Sequence, residues 1–491
     1  MELVVRPEET TGNVRSNFKM NRVARPLSPV RLPTEKIHFA ALVAFLVLVF
    51  LMGGGSRYDI QSLVILRPLA ILFIGYALIS LQLTQLKSIR MPLILLAGLS
   101  SIMIIQLIPL PPEIWSLFPG RAIFAHIGEL VGTEQLWRPL TLSPSRTLNS
   151  LLSLSIPFAA LLLFQLQHRR YYPGILWIIV GLGVTSALLG LFQLGTSSQS
   201  ALYLYEITNR GAPVGLFSNR NHHAIFLASL FPLVMNSLWL TRRDENYRSV
   251  LLLFVIAFVL FISPLLLAMG SRAGLGLMLV GLAIGAATLA RHQSTIGAFL
   301  VRPAGKVAAA ALLLAILVIF YFAFANSRSL AFDRFFDSSL SEGSRSEFLP
   351  YILRLTEIYF PVGSGFGTFE FVYRAIEAPE LVRYSYLNQA HNDGLQILIE
   401  AGIAGLAVAL IFLLWFIKRL VAAGRFFYVG EDFHTVARGT RIAYIATFSA
   451  LIILLGSVMD YPLRTPSIMA YFAILCAWIA NSQNSDNAEH G

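Results

Sequence analysis

The sequence predicts an all-α integral membrane protein that crosses the bilayer about twelve times. Of its 491 residues, 56% are hydrophobic and only 13% are charged, whereas soluble domains usually carry about 25% charged residues. The mean hydropathy is +0.69. Water-soluble enzymes and disordered or fibrous chains are therefore excluded. The single cysteine, Cys476, excludes a disulfide framework and a cysteine-built metal cluster.

Twelve apolar stretches approach the roughly 20 residues that a helix needs to span a membrane. They are residues 38–54, 63–83, 92–108, 148–166, 174–195, 222–240, 250–269, 273–290, 307–325, 394–417, 440–458 and 466–480. Two pairs of small residues, Gly281 with Gly285 and Gly402 with Gly405, favour close helix packing within the eighth and tenth spans.

The positive charges set the expected orientation. If the N-terminus is cytoplasmic, all five lysines lie inside, together with three basic pairs at 169–170, 242–243 and 418–419. An even number of spans returns the C-terminus to the cytoplasm. The net charge of +11 thus follows the topology, and nucleic acid is not an expected partner.

The predicted organisation has four parts. A basic cytoplasmic tail, 1–37, shows no cleavage site and either lies near anionic lipid or serves as a topology signal only. Residues 38–195 form the N-terminal spans with an outer loop at 109–147. Residues 196–480 form a second membrane region with a large outer loop at 326–392, and 481–491 form a polar tail.

The outer segments 109–147, 196–221 and 326–392 carry arginine and no lysine. Arginine binds phosphate through two parallel hydrogen bonds and keeps its charge where water is scarce. This distribution predicts phosphate recognition on the outer face, although the chain is rich in arginine throughout.

His391 opens the tenth span, where Asn392, Asp393 and Gln396 make the first turn polar. A neutral imidazole at the membrane edge can take a proton from a hydroxyl group. The alternative is a histidine that caps the helix or lies at the membrane interface.

Three arginines are candidate ligands for an anion. Arg272 stands between two spans, where a charge is costly unless it reaches the headgroup region or a partner. It therefore either extends to the interface or holds an anionic headgroup. Arg345 and Arg220 are either phosphate ligands or solvated surface residues.

Two other groups of polar residues favour a structural role. His222 and His223 are adjacent, so their side chains point about 100° apart on a helix and rarely share a metal ion. Neither a metal nor another cofactor is expected, since nucleotide-binding fingerprints are also absent. Asp460 and Arg464 flank a turn in the last outer segment, which favours a local ion pair.

Five motifs together resemble one known superfamily, the O-antigen ligases with the related O-antigen polymerases and protein O-oligosaccharyltransferases. The motifs are QLIPLPP at 106–112 with PGR at 119–121, GLFSNRN at 215–221, SR at 271–272, Arg345 with PVGSGFG at 361–367, and His391-Asn392 followed after nine residues by GIAG at 402–405. The last motif is the most specific and resembles the signature of the ligases.

The resemblance implies a GT-C-like fold and a metal-independent, inverting glycosyl transfer at the periplasmic face of the bacterial inner membrane. The implied donor is a glycan on undecaprenyl diphosphate. The implied acceptor is a sugar of lipid A–core in ligases, another lipid-linked repeat in polymerases, or a Ser or Thr hydroxyl. By position, His391 would be the base or would orient the acceptor, Arg345 and Arg272 would hold the diphosphate, and Arg220 would assist.

Three functions remain in view. The histidine motif favours a ligase over a polymerase of the same superfamily. A transporter would also fit twelve spans. However, transporters usually place ionisable groups at mid-membrane, and the predicted spans hold few of them.

Overall fold

The computed structural model describes residues 34–240, 245–289, 342–382, 387–429 and 438–482, with the isolated positions 310 and 314. The described chain is mostly helical. The helices are α1 (Thr34–Met52), α2 (Leu63–Ser80), α3 (Leu83–Leu86), α4 (Arg90–Leu107), α5 (Pro112–Trp115), α6 (Ala122–Leu130), α7 (Pro144–Ser153), α8 (Ser155–Gln165), α9 (Tyr172–Leu194), α10 (Arg220–Met235), α11 (Glu245–Ala268), α12 (Arg272–Leu289), α13 (Glu342–Tyr359), α14 (Phe369–Arg374), α15 (Asp393–Val429), α16 (Arg438–Met459) and α17 (Pro466–Asn481). Strands β1 (Pro109–Leu110) and β2 (Arg138–Pro139) form an antiparallel pair in which Pro109 lies opposite Pro139.

The described helices confirm the prediction of an all-α membrane protein. Among them, eight are long and apolar enough to cross a bilayer, and two shorter apolar helices begin at Arg272 and Pro466. Ten of the twelve predicted spans coincide with these helices, α7 and α8 together forming the fourth. The sixth, 222–240, coincides with α10, whose first residues are polar. The ninth predicted span, 307–325, lies outside the described residues.

Helix α10 occupies the centre of the bundle, where every residue from His222 to Met235 is buried. Such a helix is enclosed because it is apolar on all sides. Helix α12 runs parallel to it, with Gly274 against Ala224 and Gly281 against Ala228. A side chain at Gly281 would lie 2.8 Å from the carbonyl oxygen of Ala228, so the predicted small-residue packing is confirmed for this span.

The predicted packing role of Gly402 is wrong, because α15 is interrupted there. Gly402 has φ 56° and ψ −142°, a backbone conformation that side chains with a Cβ rarely adopt. Its neighbour Ile403 donates its backbone N–H to the carbonyl of Pro361 at 2.8 Å. A second segment of chain therefore docks at the break.

The predicted outer segments meet at one end of the bundle, which we call the site end. Leu142 donates its backbone N–H to the carbonyl of Ser364 at 2.9 Å, which joins the first segment to the third. Ser218, in the second segment, donates to the carbonyl of Gly54, just after α1, at 3.0 Å. The site end is thus built from loops that are far apart in the sequence.

Candidate functional site

His391 lies at the site end and faces a buried carboxylate. Its Nδ1 is 3.2 Å from Oδ1 of Asp460, in the turn between α16 and α17. The His391 side chain is 24% exposed and that of Asp460 is fully buried. His391 has φ 51°, an uncommon backbone conformation for a residue other than glycine. One edge of the imidazole is thus held by protein while part of the ring remains accessible.

Asp460 accepts hydrogen bonds from His391, Tyr461 and Asn221. Its Oδ1 accepts from the backbone N–H of Tyr461 at 3.0 Å as well as from His391, and its Oδ2 accepts from Nδ2 of Asn221 at 2.7 Å. Burial alone would raise the pKa of Asp460, but the charges of His391 and His222 and the hydrogen bond from His391 lower it well below its usual value. An ionised carboxylate only accepts hydrogen bonds, so Nδ1 of His391 carries a proton, and in the neutral form of the ring Nε2 presents a lone pair.

Asn392, and not His391, caps the helix. Its Oδ1 accepts from the backbone N–H of Leu395 at 3.0 Å, and its Nδ2 donates to the carbonyl of Val458 at 3.0 Å. The first contact satisfies a free donor of the first turn of α15, and the second ties that turn to the end of α16. The alternative interpretation of His391 as a capping residue is therefore wrong, and its side chain is available for another role.

An aromatic ring and a second histidine enclose Asp460. The ring centroid of Tyr461 lies 4.9 Å from the ring centroid of His391 and 4.9 Å from that of His222, edge to face in each case. His222 binds Oγ1 of Thr465 through Nδ1 at 2.8 Å, and its Nε2 is 3.7 Å from Oδ1 of Asp460. His223 points elsewhere, towards Ser186. Within the described ranges, no three His, Cys, Asp or Glu side chains are placed to hold a metal ion.

Two of the predicted arginines begin helices at the site end. Arg220 is the first residue of α10, directly before Asn221, which contacts Asp460. Arg272 is the first residue of α12, which packs parallel to α10. The N-termini of both helices, where backbone N–H groups favour anions, therefore lie at the same end of the bundle as His391.

The third arginine, Arg345, falls in the first turns of α13. Its side chain lies outside the described part of the structure, so its contact with a phosphate remains a prediction. Helix α13 packs its apolar residues, including Ile352 and Leu355, in one cluster with Ile399 of α15. The helix that carries Arg345 is thus fixed against the helix that follows His391.

Arg464 pairs with Glu400 and Asp393 and not, as predicted, with Asp460. Arg464 donates from Nη2 to Oε2 of Glu400 at 3.2 Å, and its Nε is 3.5 Å from Oδ1 of Asp393. Burial lowers the pKa of Arg464, but the carboxylates of Glu400 and Asp393 raise it above its ordinary value. The turn that carries Asp460 is therefore fixed to the first turns of α15.

Glu400 was missed by the sequence reasoning, although it holds the site end together. Besides Arg464, its Oε1 accepts from the backbone N–H of Phe369 at 3.3 Å. Its backbone carbonyl accepts from Nε2 of Gln106 and from the N–H of Gly365, both at 2.9 Å. Gly365 has φ 111° and lies against Thr141, where a side chain would collide. A carboxylate inside an apolar span was the available signal, because an unpaired charge there is costly.

The apolar helices define a multi-pass membrane protein with a polar site at one end of its bundle. A family model described as O-antigen ligase matches residues 256–410, about a third of the chain. This part of the chain, which includes Arg272, Arg345 and His391, is therefore similar to the O-antigen ligases, as its motifs predict. No curated protein matches the sequence.

Proposed function

We propose that this protein is a glycosyltransferase of the ligase type. It moves a glycan from undecaprenyl diphosphate to a sugar hydroxyl of lipid A–core at the periplasmic face of the inner membrane, with both termini cytoplasmic. The observation that carries the proposal is the pairing of His391 with the buried carboxylate of Asp460 at 3.2 Å. The carboxylate of Asp460 fixes the tautomer of the His391 imidazole, so that Nε2 can act as a base. The similar O-antigen ligases transfer lipid-linked glycans, a reaction that can use such a base.

The reaction needs one proton acceptor and one stabilised leaving group. Nε2 of His391 accepts the proton of the acceptor hydroxyl as its oxygen attacks the anomeric carbon. The bond between that carbon and the diphosphate oxygen breaks on the opposite face, and the diphosphate leaves with the electron pair. The configuration at the anomeric carbon is therefore inverted. Asp460 stabilises the positive imidazolium that forms on His391.

The leaving diphosphate requires positive charge around it. Arg272 and Arg220 begin helices whose N-termini add the favourable end of the helix dipole. Arg345 is the third proposed ligand. Donors that are already in place stabilise the departing oxyanion without reorganisation, which makes electrostatic stabilisation a large contribution to the rate.

Substitution of His391 tests the proposal directly. We expect His391→Ala to lower the transfer of a lipid-linked glycan to lipid A–core in membrane vesicles by about 10²–10⁴-fold, the usual contribution of a general base. We expect Arg345→Ala to abolish transfer as well. The matched control is His126→Ala, because His126 also lies near a carboxylate, that of Glu129, but is 69% exposed on α6. Unchanged transfer in both site variants, with normal membrane insertion, overturns the proposal.

The second candidate is a polymerase of the same superfamily, which would extend O-antigen or exopolysaccharide repeats. The family match is compatible with both activities, and the histidine motif favours the ligase. A deletion strain separates them, because loss of a ligase strands long chains on the lipid carrier, whereas loss of a polymerase leaves single repeats. The match also favours a transferase over the transporter that the span count permits.

A further inference from the structure

A cavity of about 260 Å³ lies beside the segment that carries His391. It is bounded by α2, α4, α7, the loop before α14 and the first turns of α15 and α17. Asn388 and Asp393, on either side of His391, belong to its wall. The cavity therefore adjoins the proposed catalytic residue without including it.

Four arginines and two carboxylates line this cavity. Arg57 pairs with Asp59 at 2.7 Å and Arg146 with Glu370 at 3.3 Å. Arg464, as described above, pairs with Glu400. In each of these pairs a carboxylate offsets the charge of the guanidinium.

The fourth arginine, Arg67, contacts neutral partners. Its Nη1 donates to Oδ1 of Asn149 at 2.7 Å and its Nη2 donates to Oγ of Ser153 at 2.8 Å. Its Nε is buried and has no hydrogen-bond partner among the described residues. Burying a cation costs free energy because the charge loses water, and neutral partners recover only part of that cost. An anion that enters the cavity can therefore pair with the Arg67 guanidinium without displacing an existing carboxylate partner.

The rest of the cavity wall is largely apolar. Leu99 and Met103 of α4 and Leu154 between α7 and α8 line it, next to Arg67 and Arg146. A ligand that fits both parts carries an anionic group together with a hydrocarbon chain. The volume suits a headgroup, because pockets for whole small molecules are usually about 300–1,000 Å³.

We propose that this cavity binds the phosphoryl group of a lipid substrate, with Arg67 as its principal ligand. The lipid chain then lies over Leu99 and Met103. Neither Arg220 nor Arg272 lines this cavity. The choice of a lipid as the substrate rests on the proposed function. Binding of that lipid can nevertheless be measured without any glycan transfer.

Binding of purified full-length protein to defined lipids tests this inference. Native mass spectrometry is used with undecaprenyl diphosphate and with bis-phosphorylated lipid A, each paired with its dephosphorylated counterpart. We expect Arg67→Gln to weaken binding of at least one phosphorylated lipid by about 10–100-fold, because a hydrogen-bonded charge is lost. Binding of the dephosphorylated lipids stays unchanged. An effect confined to undecaprenyl diphosphate assigns the cavity to the donor, and one confined to lipid A assigns it to the acceptor.

Three further variants make the test decisive. Arg210→Gln is the matched control, since Arg210 also binds a neutral group, the carbonyl of Ser198, but lies away from the cavity. Leu99→Trp fills the cavity and keeps every charge, and we expect it to weaken binding of the phosphorylated lipid as well. It replaces Arg67→Gln as the test variant if Arg67→Gln does not fold. His391→Ala keeps lipid binding and loses transfer, which separates this inference from the proposed function. Wild-type affinity for both phosphorylated lipids in Arg67→Gln, or in Leu99→Trp if that variant alone folds, overturns the inference.

Discussion

Asp460→Asn is the substitution that tests most sharply how the site works. The change keeps the size of the side chain and removes one negative charge. In the wild-type protein the N–H groups of His391, Tyr461 and Asn221 donate to Asp460. An asparagine offers one oxygen and one NH₂ group, so one of these donors faces another donor unless Asn221 turns its amide.

The magnitude follows from the charge that develops on His391 during transfer. A full positive charge about 4 Å from a carboxylate gains about 4 kcal/mol at an effective dielectric constant of about 20. Each factor of ten in rate corresponds to about 1.4 kcal/mol. Because Asp460 is fully buried, little of this attraction is screened, and we expect kcat/KM to fall by about 10³-fold.

The assay is glycan transfer from undecaprenyl diphosphate to lipid A–core, measured at several donor and acceptor concentrations. Glu129→Gln is the control, because Glu129 lies 3.4 Å from His126 in a pair that is largely exposed. Exposed pairs contribute little, so this variant retains full activity. Wild-type activity in Asp460→Asn would refute the role of Asp460 in supporting His391.

Three further predictions concern the stability of the site end. Glu400→Gln leaves Arg464 with a weakened partner and lowers the free energy of unfolding by about 3 kcal/mol, as for a broken buried pair, which thermal melting in detergent measures. Gly402→Ala strains a left-handed backbone by about 1–3 kcal/mol and speeds proteolysis near the docked loop, whereas Gly424→Ala, in a helix with open space around it, leaves stability unchanged or slightly higher. Because the pKa of Asp460 is lowered on folding, its ionised form stabilises the fold above about pH 4. The melting-temperature difference between wild type and Asp460→Asn therefore persists from pH 5 to 8 and shrinks as the pH falls below about 4. A difference that grows in acid would contradict this sign.

The membrane helices could be predicted because span length and apolar composition are local properties of the sequence. His391 could be singled out as a candidate because a polar first turn before an apolar span is unusual and because its motif resembles a known family. Its partner could not, because 69 residues separate His391 from Asp460 and no periodicity links them. The role of Gly402 could not be predicted for the same reason. Only the approach of Pro361, which is distant in the sequence, shows that the helix is interrupted at Gly402 and that this glycine is not part of a packing face.

The interruption at Gly402 divides α15 into two mechanically distinct parts. The short part, 393–401, is fixed by Asn392 to the end of α16 and by Glu400 to Arg464. The long part exposes apolar residues, including Ile403, Leu410 and Leu414. We expect a bilayer of different thickness to change the tilt of the long part, and the bend at Gly402 to absorb that change. The imidazole and its carboxylate thus keep their spacing while the rest of the helix adapts to the membrane around it.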